Sequence, residues 1–104
     1  MEVYPGQMVF SKAGRDKGKA FIIIKHADEQ YVYIVDGDLR RMDNPKKKKL
    51  KHLEITDLKS DFIANKIKHS HKITNADVRR CISTLIDERD KANKSHLVEA
   101  KKEG

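Results

Sequence analysis

At 104 residues the chain has room for one domain, or one small domain with an appendage. It carries 23 Lys/Arg against 16 Asp/Glu, a formal net charge of +7, which favours a polyanionic partner: nucleic acid first, an anionic membrane surface second. No apolar run reaches the roughly 18 residues of a membrane span, residues 1–7 have neither the basic nor the apolar region of a signal peptide, and a single cysteine excludes an internal disulfide framework and fits a reducing, cytoplasmic compartment.

Residues 1–7 form a lead-in with a Pro5-Gly6 turn. A short apolar strand over 8–11 and an apolar run over 20–24, with three successive isoleucines, flank a charged loop over 12–19. That loop holds Lys12, Arg15, Lys17 and Lys19 with two glycines, Gly14 and Gly18. Glycine admits tight turns and close approach of another backbone, so four cations on this support suit phosphate. A solvated hairpin loop is the alternative reading. Asp16 reads as a turn residue, or as a carboxylate orienting Arg15 or Lys17.

YVYIV at 31–35 has the β-branched and aromatic composition of a strand. Asp36-Gly37 is a strong turn signal, and residues 38–42 are expected to return as a fourth strand, with Arg40 and Arg41 on opposite faces. Asp43-Asn44-Pro45 breaks the pattern, and a last strand is expected over 51–55. Five short strands in about 50 residues suggest a small barrel or sandwich. Val9, Ile22, Ile24, Val32 and Ile34 are its expected core, although the run 21–24 also admits burial on both faces.

The periodicity then changes. Leu58, Phe62, Ile63 and Ile67 form a helical stripe, with Ser60 as N-cap and a helix over about 60–68. Thr74 and Asp77 resemble a capping box that opens a second helix over about 75–91. Val78, Cys81, Ile82, Leu85 and Ile86 share one face of it, and Cys81, Ile82 and Leu85 are expected to be buried. The division is a barrel at 1–56, a helical hairpin packed on it at 57–92, and a frayed or disordered tail at 93–104. The stripe either packs on the barrel or docks a protein partner.

Between Arg40 and His52 lie seven cations (Arg40, Arg41, Lys46, Lys47, Lys48, Lys49, Lys51) and one acid, Asp43. Such density binds nucleic acid through counterion release and reads sequence poorly. Tyr31 and Tyr33 share a strand face, suited to cross-strand packing or to stacking on bases. No catalytic constellation or phosphate-binding glycine motif is present. Of the five histidines only His69 and His71 are close, a poor zinc spacing with Cys81 distant. The chain reads as a non-enzyme without metal or cofactor.

Residues 1–56 resemble the KOW motif. The resemblance rests on Gly6-Gln7 leading into Val9, on SKAGRDKGK at 11–19 with Gly18 at the motif's characteristic glycine, and on Phe21. VDG at 35–37 and PKKKKLKHL at 45–53 narrow it to small bacterial KOW-domain RNA-binding proteins, similar to archaeal and eukaryotic large-subunit ribosomal proteins of the fourteen-e class. The resemblance implies an SH3-like barrel followed by helices, the stretch ITNADVR at 73–79 being compatible with that continuation. It further implies RNA, most of all ribosomal RNA, as ligand, a ribosomal or ribosome-associated role with ribosomal proteins as possible neighbours, and a monomer when free. It assigns RNA contact to Lys12, Arg15, Lys17, Gly18 and Lys19, and by position to Arg40, Arg41, Lys46, Lys47, Lys48, Lys49, Lys51 and His52. A transcription-associated KOW protein and a protein-interaction adaptor are the alternatives.

Overall fold

The computed structural model describes residues 2–103, and side chains of residues 2–92. The strands are β1 (Gln7–Ser11), β2 (Ala20–His26), β3 (Tyr31–Val35), β4 (Lys46–Lys49) and β5 (Leu53–Lys59), followed by helices α1 (Asp61–Lys68) and α2 (Asn75–Glu103). A single 3-10 turn, Leu50–His52, joins β4 to β5. The strands form one antiparallel sheet in the order β4-β3-β2-β1-β5, with β4 and β5 at its edges. No helix among the described residues is long and apolar enough to cross a membrane.

Alternation along each strand divides the apolar residues into two clusters. Val9, Phe21, Ile23, Val32, Ile34 and Leu53 gather on one face with Val3. Among the described residues neither α1 nor α2 contributes to that cluster; Leu50 of the 3-10 turn and Ile55 of β5 pack against it, and the sheet stays open, with no pairing between β4 and β5. Met8, Ile22 and Val35 lie on the outer face, where Ile63 of α1, Ile73, and Val78 and Leu85 of α2 cover them. The central strand is therefore buried on both sides. Of the expected core, Val9, Ile22, Val32, Ile34 and Leu85 are buried. Ile24, Cys81 and Ile82 are only half-buried, packed at the margin of the outer cluster. For Ile24 the reason is an irregularity in the β2–β3 register between Ile23 and Lys25.

The two helices start where the capping residues place them. The Ser60 hydroxyl accepts from the Ile63 N–H (3.1 Å) and donates to Cys81 Sγ (3.2 Å), tying α1 to α2. Thr74 and Asp77 close a reciprocal capping box, each accepting at 3.0 Å from the other's backbone N–H. The bond from the Thr74 backbone holds the Asp77 carboxyl below its usual range. The α2 backbone continues through residues 93–103, the segment expected to fray, whose side chains lie outside the described residues.

Two strand boundaries differ from expectation. Residues 38–42 are not a strand. The Asp36 carboxylate accepts from the backbone N–H groups of Asp38 (2.9 Å) and Arg40 (2.8 Å), and Asp36 and Gly37 both donate to the Arg40 carbonyl. These local bonds satisfy the backbone before a ladder can form. The fourth strand is instead the tetralysine, which pairs with β3 from Ile34↔Lys46 to Tyr31↔Lys49. Residues 51–52 fall in the 3-10 turn, and β5 runs on to Lys59, so Leu58, expected in the helical stripe, is a strand residue.

The loop 36–42 is also clamped to α2. The Arg79 guanidinium donates to the Gly37 carbonyl (2.6 Å), and the Asn75 side-chain oxygen accepts from the Met42 N–H (2.7 Å). Gly37 has φ +78°, and a Cβ there would lie 2.4 Å from the Asn75 carbonyl oxygen. Gly37→Ala combines left-handed strain with a backbone clash, and is expected to cost more than about 1–2 kcal/mol. Leu85→Ala should cost about 2–5 kcal/mol through the cavity it leaves under α2. Urea denaturation measures both, and a loss below about 0.5 kcal/mol for Leu85→Ala would mean that α2 does not cover the sheet.

Candidate nucleic-acid interface

The loop between β1 and β2 is held by its own backbone. Ser11 N–H donates to the Lys19 carbonyl (3.0 Å), Gly18 N–H to Ser11 (2.8 Å) and Lys19 N–H to Asp16 (2.9 Å). Gly18 sits at φ +85° with open space where a Cβ would point. Glycine is needed there for the turn, and its outer side is clear for a ligand. Lys12, Arg15, Lys17, Gly18 and Lys19 are exposed.

The buried member of this loop is Asp16, 7% exposed. Its carboxylate accepts from Arg40 Nε (3.2 Å) and Nη2 (3.0 Å), so its partner is neither Arg15 nor Lys17. The ion pair joins the loop 12–19 to the loop 36–42, which α2 clamps from behind. Lys48 Nζ donates to the Ala13 carbonyl (3.3 Å), and Lys12 N–H donates to the His52 carbonyl (2.8 Å). Residues far apart in sequence, Arg40, Lys48 and His52, thus all meet the same loop.

Other cations in the expected set separate. Lys46 and Lys48 share the β4 face that looks toward Val32 and Ile34, while Lys47 and Lys49 pair with Tyr33 and Tyr31 on the opposite face. Lys49 and Lys51 border a cleft with Glu29, Gln30 and Leu50. Arg41 is exposed on the loop that follows Arg40. Lys19 opens toward a groove that also holds Asp36, Asp38 and Asp87, where neighbouring carboxylates weaken its pull on an anion.

One cation joins from a region the sequence did not flag. Arg89 of α2 lies with its guanidinium carbon 4.7 Å from the Phe10 ring centre. With Phe10, Ser11, Lys12, Lys17, Gly18 and Glu54 it encloses a cleft of about 390 Å³. The signal was available: Arg89 continues the α2 stripe at i+4 from Leu85 and i+3 from Ile86, so a charge at that position had to meet the sheet. The cleft presents three cations against one carboxylate, Glu54, with Gly18 in its lining. That combination suits an anion the size of a phosphate.

No protein-family model matches the chain, and no curated protein sequence is significantly similar to it.

The Asp16–Arg40 pair is the hinge pin of this surface. A double-mutant cycle of Asp16→Ala and Arg40→Ala is expected to give a coupling of about 0.5–3 kcal/mol in unfolding free energy, as for other contacting hydrogen-bonded charges. Amide exchange at Lys17, Gly18 and Lys19 should accelerate in either single variant. Unchanged exchange would show that the loop holds its shape without the pair.

Proposed function

We propose that the protein binds RNA, through phosphate contacts made by the loop 12–19 and the cations assembled around it. The observation that carries this reading is the cleft in which Lys12, Lys17 and Arg89 converge beside Gly18. The order of five short antiparallel strands followed by helices is compatible with an SH3-like barrel of the KOW type, to which SKAGRDKGK and PKKKKLKHL are similar, although β4 and β5 do not pair to close the sheet. On that resemblance the ligand is structured ribosomal RNA and the setting is the cytoplasmic ribosome. Arg40 is a positioning residue in this scheme, because the buried Asp16 engages its charge at 3.0 Å; Lys12, Arg15, Lys17 and Arg89 are the contact residues, the last with a long 4.0 Å approach to the exposed Asp90. The adaptor reading would have to use the half-buried Cys81, Ile82 and Ile86, since Val78 and Leu85 of the α2 stripe are buried against the sheet.

If these four side chains touch phosphate, log K for a structured RNA falls with log salt at a slope of roughly −2.8 to −3.6. Arg15→Ala with Lys17→Ala should flatten that slope by about 1–2 units and hardly change thermal stability. Swapping the charges at Lys101 and Lys102 should leave the slope nearly unchanged. Equal losses in the loop and tail variants would show diffuse electrostatics instead of a built surface. Sedimentation with ribosomal particles at low salt, lost at high salt, tests the ribosomal assignment separately.

A further inference from the structure

The outer face of the sheet has an end that the helices leave open. Val35 of β3 lies under them, but Tyr33 and Tyr31, two and four residues earlier on the same face, are half-exposed. Lysines from both neighbouring strands surround these rings. Lys47 and Lys49 come from β4, directly opposite Tyr33 and Tyr31. Lys25 comes from β2 and lies opposite Tyr33. The ammonium groups stand near the rings: Lys25 Nζ is 5.1 Å from the Tyr33 centre, and Lys47 and Lys49 Nζ are 5.2 and 5.8 Å from that of Tyr31.

Folding alone does not account for this arrangement. Lysines on an edge strand are a common guard against strand addition, which explains Lys47 and Lys49. It does not explain Lys25, which belongs to an inner strand. In an unbroken register Lys25 would lie opposite Val32 and face the inner cluster. The irregularity after Ile23 turns it onto the tyrosine face instead. Cations flanking Tyr33 from both sides repel one another, and an exposed cation–π contact returns little. Two aromatic rings on a paired strand, flanked by cations, match a different requirement: a π-face for a base and a charge for each adjoining phosphate.

We infer that the face formed by Tyr31, Tyr33, Lys25, Lys47 and Lys49 binds unpaired nucleobases of RNA by stacking. This rests on the RNA-binding reading and deepens it. The strand β4 then serves both surfaces, Lys48 toward the loop 12–19 and Lys47 and Lys49 toward the stacked bases. The favoured ligand is a structured RNA with a single-stranded segment beside it.

The test compares a blunt RNA hairpin with the same hairpin carrying a 3′ overhang of six uridines, using the full chain. The overhang should tighten binding to the wild type at least tenfold, since a stacked base contributes about 5- to 150-fold. Tyr31→Leu with Tyr33→Leu should abolish that gain and leave blunt-hairpin affinity unchanged, whereas Tyr31→Phe with Tyr33→Phe should keep it. An overhang that adds nothing to the wild type, or a gain that survives in the leucine variant, overturns the inference while the loop surface stands. A wild type that binds neither hairpin overturns the RNA-binding reading and this inference with it. Should the leucine variant fail to fold, a 4-thiouridine overhang irradiated on the wild type decides. Crosslinks at Tyr31 or Tyr33 support the stacking face, and crosslinks confined to residues 12–19 refute it.

Discussion

The burial of β2 on both faces is the constraint from which the rest of the molecule follows. Phe21 and Ile23 face one way and Ile22 the other, and all three are fully buried. A small sheet cannot cover both of its faces by itself. Val3, Leu50 and Ile55 pack with Phe21 and Ile23 on one side, and Ile22 needs a second layer on the other. The helices exist in this fold to supply that layer. Once α2 lies across Ile22 and Val35, its first turn meets the loop at Gly37 and its later turns pass over Phe10. The helix is therefore both a cover for the sheet and a wall of the cationic cleft.

Much of this was legible in the chain. The run at 20–24 and YVYIV at 31–35 marked two of the central strands by composition. Ser60, Thr74 and Asp77 marked both helix starts, because capping chemistry is local and leaves a local trace. The loop 12–19 was visible as a glycine-punctuated cluster of cations. What was not legible depended on competition between local and distant bonds. Asp36 draws the next residues into a turn, although their composition admits a strand. The tetralysine has poor intrinsic strand character, yet it pairs with β3 because β3 still has an open edge there. Propensity lost to the demand of an unpaired strand for a neighbour.

The site shows the same division. Sequence grouped the cations by their spacing along the chain, whereas the fold sorts them by face and by neighbour. Arg40 turns inward to Asp16, Lys19 opens beside carboxylates, and the four lysines of β4 divide between two surfaces. Arg89 enters from 70 residues beyond Lys19. Charge density in a sequence locates a basic region, but only strand parity and helix placement decide which charges act together.

The dependence of the outer face on α2 has a consequence for how the protein is made. Every strand has left the ribosome once Lys59 has emerged, and the sheet can then pair. Leu85, which completes the cover over Met8, Ile22 and Val35, follows 26 residues later. At about 5–20 residues per second, that leaves an assembled sheet with a wet apolar face for roughly one to five seconds. In that interval the loop 36–42 also lacks its clamp, because Asn75 and Arg79 arrive with the same helix that covers the sheet.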